Sequence, residues 1–276
     1  MSKITVQDIL ALKGKRKITM LTAYDYPLAA LVDKAGIDMI LVGDSLANVV
    51  LGLDSTTKVG MPEMLHHAKA VTRAVKNALV VGDMPFDSYQ VNMEECVKNA
   101  KRFLSEANCD CVKLEWFDKC LEVTGRIIKA GIPVIGHIGL TPQTADKIGG
   151  FKVQGKDAET AKRLIEQAQE LEKLGCFAIV LECVPDKLAE IITNKLKIPT
   201  IGIGAGVHCD GQVLVIHDMV GLFERYTPKF VKKYINLSPM ILKALEEFKT
   251  EVIEEKFPAP EHTFSIKEEE INKLKK

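Results

Sequence analysis

Four short apolar segments of this chain each end on an acidic residue. The segments are Leu41-Val42-Gly43-Asp44, Val80-Val81-Gly82-Asp83, Val112-Lys113-Leu114-Glu115 and Ile179-Val180-Leu181-Glu182. Aliphatic and β-branched runs bounded by turn residues are typical of buried parallel strands. Burying a carboxylate without a partner costs free energy. Four strands that each end on an acid therefore indicate that the acids have a common function. We expect the four acids to meet at one mouth of a sheet, where α/β folds bind ligands.

A recurring signal before the strands marks the end of a helix. Lys34-Ala35-Gly36, Lys129-Ala130-Gly131 and Lys173-Leu174-Gly175 each place a lysine in a last helical turn and a glycine at a left-handed stop. Asn77 and Asn108 stand at the same place before two other strands, and asparagine tolerates that conformation. Helix, stop and strand therefore repeat at least five times.

The periodicity predicts an α/β fold, namely a closed (β/α)₈ TIM barrel. Apolar spacing predicts a helix over Pro62–Lys76, and Asn92 and Asp157 are predicted to cap two others, Asn92 in a capping box with Glu95. The predicted strands centre near Met20, Leu41, Val81, Val112, Val134, Val180, Ile201 and Val215. Gly204 to Gln212 is too short for an ordinary crossover helix. Either this crossover is abbreviated, or the eighth strand lies elsewhere and the sheet is open.

Residues 1–276 are predicted to form one barrel domain with short additions at both ends. Residues 5–12 are predicted to form a helix that covers the barrel bottom. Residues 238–255 are predicted to form a final helix, and residues 256–276 a surface or partner-contacting tail. The apolar face of the final helix consists of Ile241, Leu245, Phe248 and Val252.

Composition limits the possible partners and the compartment. The chain balances 37 basic against 37 acidic residues, and this gives no support to nucleic-acid binding. Its apolar stretches are too short to span a membrane, and the start of the chain shows no signal-peptide pattern. The seven cysteines lack C-x-x-C spacing, so we expect reduced thiols in a cytoplasmic protein and no zinc site.

Asp44 and Asp83 are candidate ligands for a hard divalent cation. Each follows a glycine at a strand end, and carboxylates from neighbouring strands suit Mg²⁺. The alternative for each acid is that it caps the helix or turn that follows.

Lys113 and Glu115 alternate on one strand and are predicted to face the barrel interior. A buried lysine there suits a substrate carboxylate, or else forms an internal ion pair with Glu115.

Three further features stand at predicted strand ends. Glu182 is a candidate general base, with helix capping as the alternative. His137 could contact substrate or orient an acid, although a lone histidine is more often a satisfied polar group. The turn Gly202-Ile203-Gly204-Ala205-Gly206 either binds phosphate or allows close backbone packing, and it lacks the residues of a P-loop.

Taken together, these segments resemble the ketopantoate hydroxymethyltransferase family. The resemblance is an ordered set of motifs running from about Ile18 to about Gly221, and it continues more loosely to Phe264. The matching stretches are Thr22-Ala23-Tyr24-Asp25-Tyr26, Val42-Gly43-Asp44-Ser45-Leu46, Gly82-Asp83-Met84-Pro85-Phe86, Val112-Lys113-Leu114-Glu115, Gly136-His137-Ile138-Gly139-Leu140-Thr141-Pro142-Gln143, Phe151-Lys152-Val153-Gln154-Gly155, Leu181-Glu182-Cys183-Val184-Pro185, Gly202-Ile203-Gly204-Ala205-Gly206 and Asp210-Gly211-Gln212.

The resemblance implies a barrel of the phosphoenolpyruvate/pyruvate superfamily, a homodecamer, and a step in pantothenate and coenzyme A synthesis. It implies transfer of a one-carbon unit from 5,10-methylenetetrahydrofolate, as co-substrate, to 3-methyl-2-oxobutanoate, giving 2-dehydropantoate through a Mg²⁺-stabilised enolate. Its implied roles are a metal site of Asp44, Asp83 and Glu115, with Glu115 bound directly or through water, an oxo-acid site of Asp44, Ser45, Asp83 and Lys113, and Glu182 as base.

One departure from the family pattern lies at the predicted mouth. Trp116 and Phe117 follow Glu115, where many family members have two glycines. These bulky residues are expected to reshape the loop on the folate side while leaving the metal ligands unchanged. Two other interpretations fit the strand-end acids: a Mg²⁺-dependent C–C lyase of the same superfamily, and a barrel retained as a scaffold. A scaffold would be expected to have lost its charged strand ends.

Overall fold

Eight parallel strands form a closed barrel in the computed structural model, which describes residues 3–144 and 152–275. Each strand pairs with the next, and β1 closes the sheet on β8 with Met20 opposite Val213. The strands are β1 Ile18–Thr22, β2 Met39–Val42, β3 Leu79–Asp83, β4 Cys111–Glu115, β5 Val134–Gly139, β6 Ala178–Glu182, β7 Thr200–Ile203 and β8 Gly211–Leu214. The predicted (β/α)₈ TIM barrel is therefore confirmed.

Helices follow most strands and surround the barrel. They are α1 Val6–Leu12, α2 Tyr26–Lys34, α3 Leu46–Val49, α4 Met61–Ala74, α5 Phe86–Tyr89, α6 Met93–Ser105, α7 Cys120–Lys129, α8 Ala158–Leu174, α9 Asp186–Lys195, α10 Ile216–Met219, α11 Leu237–Ile253 and α12 Glu268–Leu274, with 3₁₀ turns at Thr56–Lys58 and Pro260–His262. Asn92 and Asp157 cap α6 and α8 through their side chains, as predicted, although at Asn92 only the bond from Glu95 N to its side chain is present.

The strands divide their side chains between two apolar layers. On β4, Val112 and Leu114 pack outward in the layer between strands and helices. Cys111 points the other way, into a second cluster that fills the barrel interior. Because side chains alternate along a strand, Lys113 and Glu115 share the inward face with Cys111. The predicted orientation of Lys113 and Glu115 is confirmed, and it puts two ionisable groups directly above an apolar lumen.

Helix α1 covers the bottom of the barrel. Thr5 caps it, with its side chain accepting a hydrogen bond from Asp8 N and Asp8 bonding back to the Thr5 backbone. Ile9 is fully buried and belongs to the cluster inside the lumen. The predicted floor helix is confirmed, and it closes the end of the barrel opposite the strand-end acids.

The helix stops follow the sequence signals with one exception. Gly36, Gly131, Gly175 and Asn108 have the positive φ angles expected of left-handed stops. Asn77 does not adopt that conformation. Its backbone N–H and its side-chain amide instead donate to the carboxylate of Asp33. The prediction for Asn77 was wrong because a buried acid on α2 supplies a stronger constraint than the helix stop.

The connection between β7 and β8 is abbreviated. Residues 204–210 cross from one strand to the other without a helix, and Gly202 pairs with Gln212 in parallel register. The sheet nevertheless closes, and this decides between the two alternatives left open by the sequence. The eighth strand was predicted near Val215, but β8 ends at Leu214 and Val215 caps α10.

Helix α11 forms where the final helix was predicted, but it buries none of its residues. Its apolar face points away from the barrel, with Leu245 and Phe248 exposed by 59% and 54%. In residues 3–144 and 152–275, no helix is both long enough and apolar enough to cross a membrane.

Replacing Asp33 with alanine is expected to destabilise the fold. Its buried carboxylate accepts hydrogen bonds from the backbone N–H groups of Lys76, Asn77 and Ala78 and from the Asn77 amide, at 2.8–3.0 Å. Removing this acceptor leaves buried donors unpaired, and we expect a loss of about 3 kcal/mol in the free energy of unfolding. Urea denaturation at fixed protein concentration measures it. Asp54→Ala removes only an exposed ion pair with Lys58 and is expected to change little.

Candidate active site

Charged side chains from four neighbouring strands converge at the mouth opposite α1. Strands β3, β4 and β6 contribute residues at their last positions, β5 contributes a residue near its end, and the loop after β2 contributes one more. The converging residues are Asp44, Asp83, Lys113, Glu115, His137 and Glu182. The carboxyl ends of parallel barrel strands carry the active sites of TIM-barrel enzymes. The structure thus brings together residues that are far apart in the sequence.

Asp44 and Asp83 share one environment. The Asp44 backbone N–H donates to Asp83 Oδ2 at 3.0 Å, and Lys113 Nζ lies 2.9 Å from Asp83 Oδ1. The side chains of Asp83 and Lys113 are almost completely buried. The ammonium group therefore compensates an acid that would otherwise be expensive to bury.

His137 connects two acids on different strands. Its Nδ1 lies 3.2 Å from Lys113 Nζ and 3.4 Å from Glu115 Oε1, while its Nε2 lies 3.4 Å from Glu182 Oε2. The 3.4 Å contacts are long for hydrogen bonds. His137 therefore lies between Glu115 and the predicted base, which gives this residue a position in the site and not only a place in the core.

Gln143 is a site residue that the sequence reasoning did not single out. Its Nε2 donates to Asp44 Oδ2 at 2.9 Å and to Met84 O at 3.2 Å, and its backbone N–H donates to Glu115 Oε2 at 3.0 Å. The Tyr89 hydroxyl donates to Gln143 Oε1. One buried glutamine thus holds two acids in place. Its signals in the sequence were its position four residues after β5 and its place at the end of the family-like stretch from Gly136 to Gln143.

Ser45 lies beside Asp44, and its hydroxyl is 2.8 Å from the buried Tyr24 hydroxyl. Burial raises the pKa of Tyr24 above its usual range, so the phenol remains a neutral hydrogen-bonding partner. Tyr24 was part of a family motif but was not expected to touch the site. The Tyr24 hydroxyl holds the Ser45 hydroxyl in position through this hydrogen bond.

The structure also decides between the alternatives for the acids. Helix α3 begins after Ser45 and α9 begins after Pro185, and neither has a side-chain cap. Asp44 and Glu182 therefore do not cap these helices. Lys113 does approach Glu115, at 3.9 Å, but its closer partner is Asp83. The simple internal pair of Lys113 with Glu115 is thus only part of a larger cluster.

Burial and charge crowding shift the ionisation of the cluster. Burial, together with Asp44 and Glu115, raises the pKa of Asp83 to about 7 against the opposing effect of Lys113. Burial also raises the pKa of Glu115. Burial and Lys113 lower the pKa of His137, but the carboxylates of Glu115 and Glu182 outweigh them and raise it to about 9. The acids of the cluster outnumber its cations. An additional positive charge would therefore reduce the electrostatic repulsion among the carboxylates.

The donor chemistry of the mouth suits a hard cation. Within the described residues, no group of three or more His, Cys, Asp and Glu side chains is arranged to hold a metal ion. Two buried carboxylate oxygens are nevertheless only sparsely satisfied: Asp83 Oδ1 has the single close contact with Lys113 Nζ, and Glu115 Oε1 has only contacts of 3.4 Å to His137 and 3.9 Å to Lys113. Such oxygens, with Asp44 directly beside them, are ligands that Mg²⁺ accepts, while its other positions are commonly filled by water and substrate.

Two glycines at the strand ends have distinct structural reasons. Gly139 ends β5 at a φ of +96°, and a Cβ there would lie 2.3 Å from Glu182 O, so a side chain would displace the β6 end. In the glycine-rich turn, a Cβ on Gly204 would lie 2.7 Å from the Phe230 ring. This close contact favours the packing role for that turn. Phe151, one of the family-like positions, lies outside the described residues.

The raised pKa of Asp83 predicts a pH-dependent stability in a chelator-treated sample. A carboxyl group with a pKa of about 7 in the folded state, against 3.8 otherwise, holds a proton that the unfolded chain has lost. This contribution is complete below pH 3.8 and is lost as the pH rises to about 7. Asp83→Asn should therefore flatten the decline in unfolding free energy between pH 5 and 8.

Denaturant unfolding at several pH values measures this effect. Asp87→Asn changes an exposed acid four positions away and is expected to retain the slope of the unsubstituted protein. An unchanged slope in Asp83→Asn would show that Asp83 is ionised across this range.

The sequence matches one enzyme family along most of its length. A sequence model of the family described as ketopantoate hydroxymethyltransferase matches residues 3–260. A protein of Syntrophomonas wolfei named 3-methyl-2-oxobutanoate hydroxymethyltransferase is 58% identical over 276 residues, covering 99% of this chain and 100% of the relative. One of Syntrophobacter fumaroxidans with the same name is 56% identical over 273 residues, covering 99% and 97%.

Solved structures of more distant proteins share the fold. Phosphonopyruvate hydrolase in complex with oxalate and Mg²⁺ gives a TM-score of 0.60 at 14% identity, covering 100% of this chain and 95% of that chain. The 2,3-dimethylmalate lyase of the PEP mutase/isocitrate lyase superfamily gives 0.61 at 12% identity, covering 94% and 93%. These similarities show the barrel fold alone. The near full-length sequence matches show that the chain belongs to the ketopantoate hydroxymethyltransferase family of enzymes.

Proposed function

We propose that this enzyme transfers a hydroxymethyl unit from 5,10-methylenetetrahydrofolate to 3-methyl-2-oxobutanoate, giving 2-dehydropantoate for pantothenate and coenzyme A synthesis. The observation that carries the proposal is the convergence of Asp44, Asp83, Lys113, Glu115 and Glu182 at one barrel mouth. The names of the relatives support the same product. The reaction requires removal of a proton from the carbon next to a ketone, and these side chains supply the necessary charges.

Asp44 and Asp83 would hold Mg²⁺, with Glu115 reaching it through water. The water-mediated role for Glu115 agrees with its carboxylate already accepting a hydrogen bond from Gln143 N and lying beside His137. When bound, the ion supplies Lewis-acid stabilisation of negative charge on the oxo group. The amide of Gln143 keeps Asp44 oriented toward the same space.

Lys113 and Ser45 would bind the carboxylate of the oxo acid. The buried ammonium group of Lys113 is fixed by Asp83, so its orientation is set before substrate arrives. The Ser45 hydroxyl is held by Tyr24 and can donate a hydrogen bond to the substrate. Asp83 contacts Lys113 Nζ and the backbone N–H of Asp44, and it would face both metal and substrate.

Glu182 would remove the C3 proton of the oxo acid. Its side chain is 16% exposed, more than Glu115 or His137, so it borders the open part of the mouth. His137, 3.4 Å away, orients this carboxylate and keeps it apart from the other acids. The carbanion formed at C3 would then bond to the one-carbon unit of the folate donor. Water would supply the hydroxyl group and one proton, Glu182 would return the C3 proton, both C–N bonds of the methylene bridge would break, and tetrahydrofolate would leave with both nitrogens protonated.

Glu182→Gln is expected to abolish proton abstraction. In deuterium oxide, the enzyme should exchange the C3 proton of 3-methyl-2-oxobutanoate without folate, and NMR measures the rate. Loss of a general base lowers such rates by about 100-fold or more. Binding of Mg²⁺ and oxo acid, measured by calorimetry, should remain because the amide is isosteric. A chelator should stop exchange in the unsubstituted enzyme, and added Mg²⁺ should restore it.

Glu166→Gln provides the matched control, because Glu166 is 56% exposed on α8 and away from the mouth. Exchange at the normal rate in Glu182→Gln would remove Glu182 from the role of base. Exchange by the unsubstituted enzyme without any hydroxymethylated product, after addition of tetrahydrofolate and formaldehyde, would instead favour the C–C lyase alternative.

We further propose that the chain self-associates, and the family resemblance makes the homodecamer our expected assembly. The support is the apolar face of α11, formed by Ile241, Leu245, Phe248 and Val252, which are exposed by 44–59%. Contiguous apolar surface of this kind is typical of protein interfaces.

All seven cysteines are free thiols, which agrees with the proposed cytoplasmic location.

A double substitution Leu245→Asp with Phe248→Asp is expected to dissociate the assembly. Two carboxylates on this face would have to lose their water in an apolar contact, which is unfavourable. Light scattering coupled to size-exclusion chromatography should show a smaller species. Lys243→Asp, on the opposite side of α11, should leave the mass unchanged. An unaltered mass for the double variant would exclude this face from the interface.

A further inference from the structure

A pocket of about 300 Å³ opens beside the acid cluster. One wall is the segment after β4, with the rings of Trp116 and Phe117 and the carboxylate of Asp118. The other wall includes Gln154 and the first turns of α8, with the guanidinium group of Arg163 and the amide of Gln167. The pocket therefore combines aromatic surface with both hydrogen-bond donors and acceptors.

The pocket shares a wall with the proposed site of proton abstraction. Gly139 lines the pocket and pairs in the sheet with Glu182. The next residue, Leu140, donates its N–H to Glu182 O at 2.8 Å, and Trp116 donates its N–H to His137 O at 2.9 Å. The pocket therefore adjoins the ends of β5 and β6 that carry His137 and Glu182.

The α8 wall suits an elongated ligand. Thr160, Arg163, Leu164 and Gln167 line it at the spacing of one helix face and extend over about 10 Å. Arg163 contacts Glu159 at 3.2 Å, but both side chains are largely exposed, and such pairs contribute little. The guanidinium group can therefore exchange this partner for an anionic group of a ligand.

On the basis of the proposed function, we propose that this pocket binds the one-carbon donor through its pterin ring. Trp116 and Phe117 pack against the ring face, and Asp118, Gln154 and Gln167 pair with its amino and amide edges. Arg163, at the rim with 62% of its side chain exposed, pairs with a carboxylate of the glutamyl tail. The volume lies at the lower end of ligand pockets, which suits a ring system with its tail outside.

The chain offers a direct probe, because Trp116 is its only tryptophan. Titration with tetrahydrofolate, without metal or oxo acid, should quench tryptophan emission to saturation after correction for absorbance by the ligand. Arg163→Gln should weaken the apparent affinity about tenfold, as expected for loss of one charge-assisted hydrogen bond. Lys162→Gln removes a neighbouring charge whose side chain is 80% exposed and outside the pocket, and should leave the titration unchanged.

Steady-state kinetics give the second measurement. Arg163→Gln and Trp116→Leu should raise KM for methylenetetrahydrofolate about tenfold, with little change in KM for the oxo acid. If transfer occurs but neither variant changes KM for the donor and emission is not quenched, the pocket assignment is wrong while the proposed function stands. If tetrahydrofolate quenches Trp116 and Arg163→Gln weakens it, but no hydroxymethylated product forms, the assignment stands and the proposed function fails.

Discussion

The ammonium group of Lys113 is the interaction on which the mouth of this barrel depends. It lies 2.9 Å from Asp83 and 3.9 Å from Glu115, and all three side chains are buried. Without this charge, the acids would repel one another in a medium that screens them poorly. With it, negative charge still predominates, and this excess makes the mouth attractive to a cation. The same electrostatic imbalance therefore connects the cohesion of the cluster with the cation that the proposed function requires.

The geometry of the barrel determines the positions of most of these groups. Alternation along β4 points Lys113 and Glu115 inward, and the parallel register sets Asp83 beside Lys113 and His137 beside Glu115. Backbone geometry then supplies most of the precision, and the side chains, already confined in the folded protein, would lose little further entropy when a ligand binds. Gln143 completes the arrangement from a loop, where its amide joins acids carried by two different segments.

The strand-end acids and the closed barrel could be predicted from sequence because both follow from local patterns, namely apolar runs and helix stops. The abbreviated β7–β8 crossover could not, since its length is compatible with either topology until the barrel closes. Gln143 and Tyr24 escaped prediction for another reason: an uncharged side chain in a loop or motif gives no periodic signal, and its importance comes from partners distant in sequence. Asn77 was misjudged because Asp33, a tertiary partner, overrides its local preference.

The closed floor formed by α1 has a consequence for traffic through the enzyme. Ile9 fills the lumen from one end, so the described barrel offers no passage along its axis. Under the proposed function, both reactants enter through the same open end of the barrel, and the smaller oxo acid occupies the inner position. A donor bound first would lie between the solvent and the inner position, so a single opening would favour binding of the oxo acid before the donor and release of the folate product before the new oxo acid.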